Sequence, residues 1–126
     1  MKSYFLNIFV LNFLIFINFT GFLFANPIQP GPLSYEEIQK AMILSKPGDV
    51  IELGEGIFEF EDGLSLDIDN VIISGEGINK TILSFKNQKS GAEGLMITSN
   101  GVILKDFAVE DTIGDAIVVK GANGIS

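Results

Sequence analysis

From Asp49 onward, apolar residues alternate with polar ones in nine short runs. They are "VIEL" (50–53), "IFEF" (57–60), "LSLDI" (64–68), "VIIS" (71–74), "TILSF" (81–85), "LMIT" (95–98), "VIL" (102–104), "FAV" (107–109) and "AIVV" (116–119). A period of two predicts strands, and the Gly, Asn and Asp residues between them leave intervals too short for a crossover helix. Ahead of the runs the period changes. Ile38, Ala41 and Met42 recur at helical spacing, and Ser34 with Glu37 makes a capping-box pattern. A helix of about three turns is expected there, stopped by Pro47-Gly48, with one apolar stripe that needs a surface to lie on. "NPIQPGPL" (26–33) holds three of the four prolines and reads as an extended lead-in.

Closely spaced short strands ordinarily suggest an antiparallel meander, but this chain repeats itself. "DGLSLDIDNVIISG" (62–75), "EGLMITSNGVILKD" (93–106) and "DAIVVKGANGIS" (115–126) share an acid, an apolar strand, a polar bend and a second strand. Asn70, Asn100 and Asn123 mark the bends, and Ile51/Leu53, Val71/Ile73, Val102/Leu104 and Ile125 are the matching inward candidates. A repeat of roughly twenty-odd residues carrying three short strands is one coil of a parallel β-helix, each coil pairing with the next. The polar "KNQKSGAE" (86–93) is then an insertion at one corner. Asparagine tolerates the left-handed backbone of a sharp bend, so Asn70, Asn100 and Asn123 are expected to stack as a structural ladder.

The first 25 residues stand apart from this pattern. Lys2 precedes an apolar tract running to Phe24, and Ala25 stands before Asn26-Pro27. That is the layout of a secretory signal peptide cut after Ala25. The alternative is a retained membrane anchor, since the tract is long enough to span a bilayer. Asn7, Asn12 and Asn18 interrupt it, and unpaired amides are costly in hydrocarbon. The expected location is periplasmic or extracellular. There is no cysteine, so neither disulfides nor a lipid-modified N-terminal cysteine enters the picture. Sixteen acidic residues face eight lysines, with no histidine and a net charge of −8. Such a chain lacks the basic patch that nucleic acid requires. Contact with a membrane is expected only through an uncleaved N-terminal segment.

"IQKAMILSKPGDVIELGEGIFEF" (38–60) resembles the entry segment of right-handed parallel β-helix proteins of the pectin-lyase-like superfamily, and "ISGEGINKTILSF" (73–85) resembles their next coil. "GDVIELGEGIFEF", "NKTILSFKNQKSGAEGL" and "LKDFAVEDTIGDAIVVKG" are similar to a bacterial group known only as parallel β-helix repeat proteins. The resemblance implies an all-β, right-handed parallel β-helix over 34–126: a solenoid of about three coils with a short N-terminal capping α-helix. In that family the helix plugs the open end of the solenoid, which would set Ile38, Ala41 and Met42 against Ile51 and Leu53. "NGIS" at 123–126 reads as the start of a fourth coil, so the expectation is the N-terminal portion of a longer β-helix.

The superfamily includes polysaccharide lyases, galacturonan hydrolases and alginate epimerases, alongside members without known catalysis. The resemblance implies a lysine or arginine base for the lyases and a histidine motif for the epimerases; arginine and histidine are absent here. Hydrolysis by inversion needs two carboxylates about 6.5–9.5 Å apart, and no stretch resembles the family's paired-Asp motifs. Three groupings remain. Asp67 and Asp69, at strand spacing, offer oxygens to calcium, though calcium takes at least about six, and solvated exterior charge is the competing reading. Asp106, Glu110, Asp111 and Asp115 gather around one bend, where exterior charge also discourages edge pairing. Lys86 and Lys89 in the inserted loop are placed to meet an acidic sugar, or are plain surface. The "GEG" triplets at 54–56 and 75–77 lack the helix and Lys-Ser/Thr of a phosphate loop. No cofactor is evident beyond the calcium candidate, and the candidate partner is an extracellular polysaccharide. Two functions follow as expectations: an exported, non-catalytic binding or structural protein, or a uronate-active enzyme whose catalytic residues lie in coils beyond residue 126.

Overall fold

The computed structural model describes residues 26–126. The proposed signal peptide lies outside the described residues. Among the described residues one helix, α1 (Ser34–Leu44), precedes nine strands: β1 (Val50–Glu52), β2 (Gly56–Glu59), β3 (Leu64–Leu66), β4 (Ile72–Ser74), β5 (Thr81–Ser84), β6 (Leu95–Ile97), β7 (Ile103–Lys105), β8 (Ala108–Glu110) and β9 (Ile117–Val119). Each of the nine apolar runs contributes one strand.

Strands adjacent in sequence do not pair. Each pairs in parallel with the strand three places later, giving three sheets in the orders β1-β4-β7, β2-β5-β8 and β3-β6-β9. Three successive strands therefore make one coil, and three coils stack, consistent with an all-β parallel solenoid. The registers are Val50–Ile72–Ile103 in the first sheet, Ile57–Ile82–Ala108 in the second and Leu64–Leu95–Ile117 in the third. Above the third coil, the Ser126 N–H donates to Val102 O and the Leu104 N–H to Ser126 O. Residues 123–126 thus lie on β7 as the earlier coils lie on one another.

Alternate residues point into the stack. Phe58, Phe60, Leu64, Leu66, Val71, Ile73, Leu83, Phe85, Leu95, Ile97 and Val102 are almost wholly buried. Phe60 and Phe85 stack on consecutive coils with ring centroids 5.2 Å apart. All the expected inward residues do face inward, and Val71/Ile73 lie under Val102/Leu104 as expected; only the first coil is out of its expected column. Ile51 stacks under Ile73 and Leu104, not under Val71. Val71 lies beneath Val102, as expected, its carbonyl accepting from the Ile103 N–H. The step from β1 to β4 is two residues longer than the alternation alone implied.

α1 closes one end of the stack. Ile38 and Met42 are buried and Ala41 packs beside them. Two expectations about this helix are corrected. The helix starts at Ser34 with Leu33 as its N-cap, and no side chain caps it. Ser34 is buried, so the capping box does not form. The helix also lies chiefly over β3, with lesser contact to β1 and β2, rather than over Ile51 and Leu53 alone. Gln39 shows why. Its side chain donates to Ser65 O (2.9 Å) and accepts from the Ser65 N–H (3.0 Å), standing in for the strand that β3 lacks on that side. Tyr35 donates its hydroxyl hydrogen to Gly63 O nearby. Along β1 the lead-in does the same work: Ile28 bridges Leu53 in parallel, donating to Glu52 O and accepting from the Gly54 N–H.

Candidate functional site

The bend after the third strand of each coil positions Asp67, Asp69 and the three asparagines. It takes two residues, and the structure sorts them into two columns. Gly48, Asn70, Gly101 and Gly124 all have φ between 58° and 95°, the left-handed region. Gly48 and Asn70 are joined N–H to O, and Gly101 sits over Asn70, so these form one column. The neighbouring column carries the side-chain contacts: Asp69 Oδ1 accepts from the Asn100 N–H (2.7 Å), and Asn100 Oδ1 accepts from the Asn123 N–H (2.8 Å). The expected ladder of Asn70, Asn100 and Asn123 is therefore corrected to Asp69, Asn100 and Asn123. Asn70 belongs to the glycine column. It is the one asparagine of the three with a left-handed backbone.

The same geometry occupies the calcium candidates. Asp67 Oδ1 accepts from the Thr98 hydroxyl (2.7 Å) one coil above, and Asp69 is engaged as described. Among the described residues, no three His, Cys, Asp or Glu side chains gather in a metal-holding group.

Lys86 and Lys89 sit in the loop between β5 and β6, which folds back onto the first coil. Lys86 Nζ lies 2.8 Å from Glu59 and Lys89 Nζ lies 2.8 Å from Glu61. The Lys89 N–H also donates to Glu61 O, and the Ser90 hydroxyl bonds Asp62. The hydrogen bond that Lys86 donates to Glu59, with the carboxylate's charge, raises the Lys86 pKa above the ordinary lysine value. Both lysines are thus paired, and the loop acts as a clasp across two coils. At its far end the Glu93 carboxylate is held below its usual range by hydrogen bonds from its own N–H and that of Ala92.

The four acids of 106–115 are spread over two corners. Asp106 turns the chain between β7 and β8 with φ 62°, and Asp111 turns it after β8 with φ 60°. Asp111 also accepts from the Ser84 hydroxyl at 3.2 Å. It follows Phe60 and Phe85 in the same column, and the left-handed backbone turns its carboxylate out of the core. Glu110 is exposed on β8, and Asp115 precedes β9, its carbonyl accepting from the Gly94 N–H.

The feature at the helix-capped end left no mark in the local pattern. A cavity of about 780 Å³ lies over β2, walled by Pro30, Gly31, Pro32, Tyr35 and Glu36 and floored by Ile57, Glu59, Glu61 and Asp62. Burial, then the charges of Asp62 and Glu36, push the Tyr35 phenol above its ordinary pKa. The groove depends on how the lead-in and α1 cross the first coil, which no local pattern encodes.

No family model matches the chain, and no curated protein or solved structure matches it. The functional reading therefore rests on these contacts and the sequence resemblance.

Proposed function

We propose that the chain is an exported right-handed parallel β-helix of the pectin-lyase-like kind, serving in its visible coils as a non-catalytic binding or structural scaffold. One observation carries the reading: five of the eight polar side chains singled out as site candidates are engaged in joining coil to coil. Lys86 and Lys89 reach Glu59 and Glu61, Asp67 and Asp69 reach Thr98 and Asn100, and Asp111 reaches Ser84. A lysine held against a glutamate is a poor base for a uronate C5 proton. A carboxylate accepting from the next coil is a poorly placed proton donor, since general catalysis needs the group within reach of substrate.

The test is direct. The full chain is incubated with pectate, alginate and related uronates, with and without calcium. The products are examined for unsaturated ends, new reducing ends and changed uronate composition. None is expected. Turnover that disappears when Lys86, Lys89 or the carboxylates of one groove are substituted would contradict the scaffold reading. Export is checked separately: N-terminal sequencing of the exported protein should begin at Asn26, whereas a start at Met1 would support the anchor.

A further inference from the structure

The helix-capped end presents three strand edges, and the structure treats them differently. The edge of β1 is closed by Ile28, and the edge of β3 by the side chain of Gln39. The edge of β2 is closed by neither. In a parallel ladder, alternate residues direct their N–H and C=O to opposite neighbours. The Gly56 N–H donates to Lys80 O and the Phe60 N–H to Ser84 O, so Gly56, Phe58 and Phe60 face β5. Ile57 and Glu59 therefore turn their N–H and C=O groups away from β5, and both residues line the cavity of about 780 Å³. Among the described residues, neither N–H donates to the lead-in or to α1. The lead-in passes the start of β2 with Pro30 over Gly56, and proline has no N–H to offer a ladder.

We propose that this open edge of β2 takes up an extended, basic peptide segment of a partner protein as an added strand. Backbone hydrogen bonds to Ile57 and Glu59 supply the pairing, as in other cases of strand addition to a sheet edge. The chemistry of the walls selects the occupant. Glu36, Glu59, Glu61 and Asp62 line the groove, and among the described residues no lysine does. Lys86 and Lys89 offset two of these charges from the side, leaving the groove acidic. Ile57 is 58% exposed and gives an apolar side chain of the incoming strand something to cover. A basic segment with alternating apolar residues complements both features. This inference deepens the scaffold reading by naming a partner class; failure of the peptide to bind removes the partner, whereas glycan turnover would remove the scaffold reading itself.

The experiment uses the full chain labelled with ¹⁵N and two capped peptides, Val-Lys-Val-Lys-Val-Lys and Val-Glu-Val-Glu-Val-Glu. The lysine peptide should slow amide exchange at Ile57 and Glu59 about ten-fold or more, and the glutamate peptide should leave it unchanged. Glu36→Lys, an exposed change on α1, should weaken the lysine peptide by about three-fold or more, and added salt should weaken it further. Ile57→Pro removes an edge N–H that no ladder bond uses, and should abolish protection at Glu59. Loss of protected core amides in that variant would mean that it misfolds, and Glu36→Lys then decides. No binding, binding without protection of Ile57 and Glu59, or binding undiminished by Glu36→Lys would overturn the proposal.

Discussion

At the scale of single residues, the polar groups of this chain act where coils meet. Thr81 is fully buried; its hydroxyl donates to Gly54 O and accepts from the Glu76 N–H, both at 2.9 Å. Thr81→Val keeps the shape but leaves that donor and acceptor unpaired. A loss of about 1–3 kcal/mol is expected in denaturant unfolding. Gly94 is constrained by space: a Cβ there would stand 2.7 Å from Ala116 O and 2.8 Å from the Thr112 methyl. Gly94→Ala should therefore cost about 1–3 kcal/mol through overpacking. Tyr35 makes stability depend on alkaline pH. Its phenol donates to Gly63 O, and its pKa is raised above 10.0. The contribution is fully present below the ordinary phenol pKa and is lost as pH climbs through the raised value. Tyr35→Phe should remove this alkaline component from a plot of stability against pH while leaving the acid limb unchanged. Asparagine shows the limit of reading residues from sequence. It serves a bend either by adopting a left-handed backbone, as Asn70 does, or by accepting with its side chain, as Asn100 does. Only the register tells which.

At the scale of elements, alternation was enough to locate all nine strands, because a strand buried on one face must alternate. The period could not fix which inward residue lies above which. The bends have different lengths, so Ile51 lands beneath Ile73 rather than Val71. The helix was legible from Ile38, Ala41 and Met42, and the resemblance set it on the first coil; that the polar Gln39 closes the edge of β3 was not legible. Gln39→Ala should open that edge. Exchange at the Ser65 amide is expected to quicken while amides in β5 and β6 stay protected; unchanged exchange at Ser65 would show that the side chain does not cap it. The clasp of Lys86 and Lys89 is exposed, and exposed ion pairs contribute about 0–1 kcal/mol. Lys86→Ala with Lys89→Ala should leave stability nearly unchanged and should not reduce retention on immobilised polyuronate. A marked loss of retention would restore these lysines as a glycan site.

At the scale of the whole molecule, the roles of Asp67, Asp69, Asp111, Lys86 and Lys89 all depend on each strand pairing with the strand three places on. An antiparallel meander would place the same residues differently and free them for other chemistry. The backbone register distinguishes the two. Amide and α-proton contacts in the ¹⁵N/¹³C-labelled chain should link Ile72 with Val50 on one side and with Ile103 on the other, and Met96 with Ser65 and Val118. Contacts pairing β1 with β2 and β4 with β5 instead would contradict the stacked coils, and with them the reading of the polar residues as joints between coils.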